Sequence, residues 1–276
     1  MIGDGGEDGS IRAAYDDSGG DLPAVVLIHG VGLSREMWSA QIDALRDRYR
    51  VVTPDMLGHG ASPRPGREAT LDDYADHVDA VITRAGIDRA AMVGFSMGAL
   101  VARAFALRHP SRLTGLAFLN GVFARTPEVR ASILKRVDEV ATNGPSANID
   151  AAIGRWFSPD FRASHPDYLR RLRRGFANND PVGYETAYRL FATQDSFGSD
   201  RLGSINCPVL VATGELDVGS TPAMAHALAA HIPGAALRIV AGARHMMAVE
   251  MPAIVSALLL DFLKSLPVAN GIGENA

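Results

Sequence analysis

Short, uninterrupted apolar runs recur along the chain, each followed by a glycine or proline and then by a stretch with helical spacing. Ala24–His29 (AVVLIH), Ala90–Phe95, Leu113–Asn120 and Pro208–Gly214 (PVLVATG) lack the alternation of a half-exposed strand. Ala24–His29 reads as a strand buried on both faces, Ala90–Phe95 as another buried strand, and the other two as further strands. Tyr49–Thr53 and Ala236–Val240 complete the set. Between them, Trp38, Ile42 and Leu45 are spaced four and three apart, a helical face within Met37–Arg46. Leu71–Ala85 reads as a helix with Thr70 as N-cap, Asp72 and Asp73 in its first turn and Gly86 as its stop. Met97–His109 runs up to Pro110. Two further helices are expected at Pro222–His231 and Pro252–Leu266. Alternating strand and helix predicts βαβ units, a parallel sheet and an α/β fold class.

The rhythm breaks between Gly121 and Gly203. Strand-like runs vanish there, and amphipathic stretches appear at Val129–Ala141, Ile149–Phe157 and Asp167–Phe176. The chain therefore divides into a core of residues 1–120 and 204–276 and a helical insertion of residues 121–203.

Composition narrows the picture. The 276 residues are 47% hydrophobic and 21% charged, an ordinary globular balance that argues against a mainly disordered chain. The net charge of −4 gives no basic excess for nucleic acid. All the basic residues except Lys135 and Lys264 are arginine, a compositional bias. Cys207 is the one cysteine, so no intramolecular disulfide can form, and it reads as a buried residue at the entry to a strand. No apolar run approaches the length of a membrane helix. The acidic, glycine-rich opening MIGDGGEDGS lacks the basic and apolar regions of a secretory signal and is expected to be flexible. A cytoplasmic protein is the expectation, with no membrane partner; assembly as a homodimer stays open.

The candidate chemistry lies in three turns at strand C-termini, the edge where open α/β sheets bind ligands. Gly94-Phe95-Ser96-Met97-Gly98 is a G-x-S-x-G between a buried strand and a helix. Ser96 there would project its hydroxyl as a nucleophile, with the helix N-terminus favouring negative charge beside it. His29-Gly30-Val31-Gly32 is a glycine-rich turn able to aim a backbone N–H at the same place. Val31 N–H and Met97 N–H are the expected oxyanion donors. Asp217 and His245 follow consecutive strands, 28 positions apart, and would supply an orienting carboxylate and a base. The other histidines carry less. His29 and His59 sit in turns that could support the site, and His226 and His231 have a poor metal spacing. Alternation points Glu215 away from Asp217. With no cysteine pair and no H-E-x-x-H helix, no metal and no cofactor are expected.

Taken together, His29–Gly32 (HGVG), Pro54–Ser62 (PDMLGHGAS), the GFSMG turn, Gly214–Asp217 (GELD) and Gly242–His245 (GARH) resemble the α/β-hydrolase superfamily. The resemblance implies a mostly parallel eight-stranded sheet with flanking helices and a helical cap between strands six and seven, where residues 121–203 fall. Within the superfamily the chain is similar to 3-oxoadipate enol-lactonases and related carboxylesterases, through HGVG with Met37-Trp38, the GFSMG turn and Ala177–Tyr184. That likeness implies a place in aromatic degradation. Ala99 replaces a usual glycine, and Met246 and Met247 stand where carbon–carbon bond hydrolases often have Trp. Ser96 argues against epoxide hydrolases and haloalkane dehalogenases, which use Asp.

The expected activity is serine hydrolysis of a small ester, enol-lactone or related acyl substrate through an acyl-enzyme. Carbon–carbon bond hydrolysis, amide hydrolysis of a ring-opened intermediate and perhydrolysis would use the same triad. A ligand receptor without turnover is the alternative from another class. Gly30, Trp38, Phe123, Trp156, Met246 and Met247 are candidate pocket walls. For a carboxylate-bearing substrate, Arg125, Arg155 and Arg162 are candidate clamps. The cluster Arg170, Arg171, Arg173 and Arg174 reads as a solvated helix face.

Overall fold

A computed structural model describes residues 14–267. The expectations for residues 1–10 lie outside the described residues. Seven strands form one sheet: β1 (Tyr15–Asp17), β2 (Ala24–Ile28), β3 (Arg50–Pro54), β4 (Ala90–Phe95), β5 (Leu113–Leu119), β6 (Val209–Gly214) and β7 (Ala236–Val240). Their spatial order is β1-β3-β2-β4-β5-β6-β7, and every pairing but β1 with β3 is parallel. The apolar runs explain the centre: β4 and β6 are buried at every position. β1 has no such run. Its backbone pairs with β3, and the Asp17 carboxylate receives Nε and Nη2 of Arg50 at 2.9 and 2.6 Å.

The first helices are α1 (Ser39–Leu45), α2 (Leu71–Arg84) and α3 (Met97–Arg108). α1 is entered through a 3-10 turn at Arg35–Trp38, so the expected Met37–Arg46 helix is split. Thr70 caps α2 in a reciprocal capping box with Asp73. Between β5 and β6 the chain forms α4 (Pro127–Asn143), α5 (Ile149–Trp156), α6 (Pro159–Ser164), α7 (Pro166–Ala177) and α8 (Pro181–Thr193). Three of these, α4, α6 and α8, begin with an oxygen-bearing N-cap (Thr126, Ser158, Asp180) followed by proline. After β6 come α9 (Pro222–Ala230), β7, the short α10 (Met247–Glu250) and α11 (Pro252–Lys264).

The resemblance implied eight strands; the described residues supply seven, so the insertion falls between the fifth and sixth of this count. β2 lies between β3 and β4, so the chain leaves β2 in one direction across the sheet and reaches β4 on its other side. The crevice at that reversal lies beyond the C-terminal ends of β2 and β4. The Gly30 turn and Ser96 both emerge there.

Candidate active site

Ser96 links β4 to α3 with φ 54° and ψ −111°, a conformation costly for a non-glycine residue. Its surroundings hold it there. Ser96 N–H donates to Leu119 O at 2.9 Å, and Ala99 N–H donates to Ser96 O at 3.0 Å. The flanking glycines are steric requirements: a Cβ on Gly94 would overlap the Gly98 carbonyl, and one on Gly98 would overlap the Ile28 and His29 carbonyls. Strand and helix thus approach closely enough to turn the Ser96 side chain toward the crevice.

His245, in the turn after β7, places Nε2 3.2 Å from Ser96 Oγ. Its Nδ1 lies 2.7 Å from Asp217 Oδ2, in the turn after β6. With Nδ1–H donating to the carboxylate, Nε2 is left free to accept a proton from the hydroxyl. All three side chains are buried. The Asp217 carboxylate is fully satisfied: Oδ1 accepts Gly219 N–H and Ser220 N–H at 2.8 and 2.9 Å, and Oδ2 also accepts the Asn120 amide at 2.8 Å. Burial pushes its pKa up, but His245 and the donated hydrogen bonds outweigh that and hold it below the usual carboxylate value. Asn120, just past the end of β5, is one residue that the sequence pattern did not mark; its signal was an Asn-Gly pair at the same sheet edge as Ser96.

The donor turn after β2 is fixed by two histidines. His29 accepts Met56 N–H on Nε2 at 3.0 Å, and its Nδ1 donates to Gly30 O at 2.8 Å. His59 accepts Gly32 N–H on Nε2 at 2.9 Å, and its Nδ1 donates to Leu57 O at 3.0 Å. Val31 N–H, between those anchors, donates to no protein acceptor among the described residues. Met97 N–H opens α3, where a helix has no acceptor of its own to offer. Both backbones therefore have donors free beside Ser96.

A cavity of about 80 Å³ opens over Ser96, with room for several water-sized groups. Gly30, Val31, Phe95, Asp217, His245 and Met246 line it from the core; Trp156, Phe176, Tyr184 and Tyr188 line it from the insertion. Trp156 stacks on His245 with ring centroids 5.9 Å apart, and its carbonyl accepts Met246 N–H at 3.2 Å. The insertion thus touches the histidine turn directly.

Several expected walls and clamps fall elsewhere. Trp38 is fully buried, edge-on to Phe95 at 6.4 Å, and does not reach the cavity. Phe123 packs between His231 and Arg103. Met247 is buried in α10, outside the lining. Each fills the core, where an isolated aromatic or Met is most often found. Arg162 is exposed and outside the cavity. Arg125 does line it, but its guanidinium is committed to the wall, stacked over Phe191 at 4.2 Å and donating to Phe191 O at 2.5 Å. Arg155 lines the cavity, as does Arg136, which the sequence pattern did not single out. Arg170, Arg171, Arg173 and Arg174 form an exposed face of α7. Cys207 is half-buried just before β6. Among the described residues no group of three or more His, Cys, Asp or Glu converges for a metal ion, and no helix is long and apolar enough to cross a membrane.

The chain is similar to known proteins. The (E)-2-((N-methylformamido)methylene)succinate hydrolase of Acinetobacter baylyi is 30% identical over 93% of this chain and 96% of its own length. The 3-oxoadipate enol-lactonase 2 of the same organism is also 30% identical, over 84% and 85% of the two chains. The crystal structure of the enol-lactonase from Burkholderia xenovorans superposes with a TM-score of 0.85 at 30% identity, covering 93% of this chain and 99% of that one. The family model for the alpha/beta hydrolase fold matches residues 23–252, spanning the strands that carry Ser96, Asp217 and His245 as well as the insertion. On that match, and on the sheet described above, the chain belongs to the alpha/beta hydrolase fold family.

Proposed function

We propose that this hydrolase is a serine hydrolase that cleaves a small ester, enol-lactone or related acyl substrate through an acyl-enzyme. The observation that carries the reading is His245 standing between Ser96 and Asp217, at 3.2 and 2.7 Å. His245 Nε2 takes the Ser96 proton as Oγ attacks the carbonyl carbon. Val31 and Met97 N–H groups receive the oxyanion, a contribution of about 10²–10³ in rate per donor in comparable sites. Asp217 holds the imidazole in the tautomer that leaves Nε2 basic and stabilises the imidazolium. The tetrahedral species collapses, and the leaving group departs with the proton from Nε2. Water then gives a proton to Nε2 and attacks the acyl carbon, releasing the acid and restoring the Ser96 hydroxyl. Residues 121–203 serve as a cap that closes the acyl site, with Trp156 against the imidazole. The relatives named for enol-lactone and succinate-derived substrates support a small acyl compound.

The test is Ser96→Ala. Hydrolysis of 4-nitrophenyl esters is expected to fall by roughly 10⁴–10⁶ in kcat. A fluorophosphonate should label the wild type and not the variant. Near-wild-type activity in Ser96→Ala, or labelling that persists, would end the serine mechanism. A ligand receptor is separated by turnover: wild-type rates below about 0.1 s⁻¹ on every ester and lactone tried would favour it, since enzymes commonly run at 1–10³ s⁻¹. A second reading, hydrolysis of an amide-like bond, is favoured by the N-methylformamido relative. It predicts turnover of an amide matched to the best ester at a comparable kcat.

A further inference from the structure

The His245 imidazole packs against two aromatic rings, Phe95 at 5.0 Å and Trp156 at 5.9 Å between centroids. Phe95 belongs to β4 and is fixed in the core against Trp38. Trp156 belongs to the insertion and has to be brought to the histidine. It is the last residue of α5, and α6 begins at Pro159 with Ser158 as its N-cap. Ser158 Oγ accepts Phe161 N–H at 3.1 Å. A full capping box would add a Glu or Gln at the third helical position, reaching back to the N-cap N–H. Phe161 occupies that position and has no acceptor to offer. The acceptor comes from another element: both carboxylate oxygens of Glu250 lie on Ser158 N–H, at 3.2 and 3.3 Å. Glu250 is half-buried at the end of α10, the short helix that follows the histidine turn. Its own N–H donates to Met246 O at 2.9 Å, and Met246 N–H donates to Trp156 O at 3.2 Å. The α5–α6 junction is thus tied to the histidine turn through Met246 and through Glu250, and it carries the Trp156 ring.

Resting on the serine-hydrolase reading, we infer that Glu250 is a positioning residue: it holds the α5–α6 junction so that the Trp156 ring keeps the His245 imidazole in line with Ser96. The distances show why such a support matters. Nε2 stands 3.2 Å from Ser96 Oγ, at the outer end of hydrogen-bond reach. The bond to Asp217 fixes the imidazole at Nδ1 and leaves the tilt of its Nε2 edge to packing. A displacement of about 1 Å at a reacting group can cost about 10² in rate. Glu250 does not line the cavity, so it acts through the ring and not on the substrate. Its carboxylate gives the Ser158 N–H a charge-assisted partner, stronger than the neutral acceptor of an ordinary turn.

The experiment compares Glu250→Leu, which keeps bulk but removes the acceptor, Glu250→Gln, which keeps an acceptor oxygen, Trp156→Leu and the double variant Glu250→Leu with Trp156→Leu. Active-site titration with a fluorophosphonate normalises each rate to intact sites, so a loss of folded protein alone does not register. In Glu250→Leu, kcat for a 4-nitrophenyl ester is expected to fall about tenfold while KM stays within about twofold. Glu250→Gln should recover most of that loss. Because Glu250 acts through the ring, the double variant should lose no more than Trp156→Leu alone. Acrylamide quenching reads the ring itself. Trp38 is fully buried, so quenching reports Trp156, and it should rise in Glu250→Leu. An unchanged kcat in Glu250→Leu overturns the assignment, as do losses that multiply in the double variant or quenching that stays at the wild-type level. If the wild type neither turns over esters nor takes the label, the serine-hydrolase reading fails on its own, and the quenching still decides whether Glu250 holds the ring.

Discussion

Asn120 meets two demands in one residue. Its φ is 49°, a left-handed conformation that asparagine tolerates better than most side chains, and its amide donates to Asp217. The amide also donates to Thr213 Oγ1 at 3.4 Å, while its Oδ1 has no hydrogen-bond partner among the described residues. Replacing it with glycine separates the roles, because glycine adopts this φ freely and brings no donor. A hydrogen bond to a charged group is worth about 1.5–3 kcal/mol. Three other donors remain on Asp217, so the expected loss in kcat/KM for Asn120→Gly is about tenfold. Loss of a partner that favours the carboxylate should also move the acidic limb of the pH–rate profile upward. An unshifted limb with unchanged kcat/KM would mean that Asn120 serves only the β5 turn. The residue shows where a sequence stops being readable. Ser96, Asp217 and His245 each end a recognisable strand in a glycine-marked turn with a residue type that does chemistry. Asn120 ends a strand too, but an asparagine before a glycine is ordinary turn material. Trp38, Phe123 and Arg162 err in the opposite sense, since residue type and segment do not tell which side of a helix or turn faces a cavity.

At the scale of elements, the turns after β2 and β3 are built around neutral histidines. Burial holds the His29 pKa down at about 4 and the His59 pKa down at about 3, against an ordinary value near 6.5. Their rings meet edge-on at 5.2 Å, where two cations would repel. The unfolded chain takes up protons near pH 6.5 that the folded chain refuses until about pH 4 and 3. Their contribution to stability is therefore complete above pH 6.5, shrinks as pH falls, and is lost once pH passes the folded values. The urea midpoint of the wild type should drop between pH 6.5 and 4. His59→Gln, which cannot titrate, should be less stable at pH 7.5 but lose less on acidification. Parallel curves for the two proteins would place the acid sensitivity in the carboxylates. These turns were marked by their glycines, and the buried strands by their apolar runs. Other elements left weaker traces. β1 is three residues of mostly polar sequence held by backbone pairing, α6 and α10 are too short to show a period, and α8 is announced chiefly by its Asp180-Pro181 start.

For the whole molecule, the question is how the insertion is held to the sheet. The chain leaves the core around Phe123–Thr126 and returns through Gln194–Ser196, and one buried carboxylate joins the two crossings. Asp195 accepts Arg125 N–H at 2.6 Å from the outgoing segment, and Nε and Nη2 of Arg130 at 2.8 and 3.0 Å from α4. Beneath it, Arg103 of α3 donates Nη2 to the Gln194 and Asp195 carbonyls at 3.1 and 3.0 Å. Arg103 is 1% exposed, and its Nε and Nη1 find no hydrogen-bond partner among the described residues. Burial lowers its pKa to about 10, and the Asp195 charge works against that shift. Asp195→Asn keeps the shape of the side chain and removes the charge that Arg103, Arg125 and Arg130 share. Breaking a buried ion pair costs about 3–5 kcal/mol, and the partial exposure of Arg130 puts the expected loss at the low end. If the carboxylate acts as the clamp for both crossings, the damage is uneven. Limited proteolysis should cut within residues 121–203 well before the core is attacked, and the activity loss should exceed that of an equally destabilising core variant such as Val93→Ala. Uniform cleavage with activity tracking stability alone would reduce Asp195 to one more buried polar group, and the seating of the insertion would then rest on its apolar contacts, Trp156 against His245 and Phe176 beside Gly32.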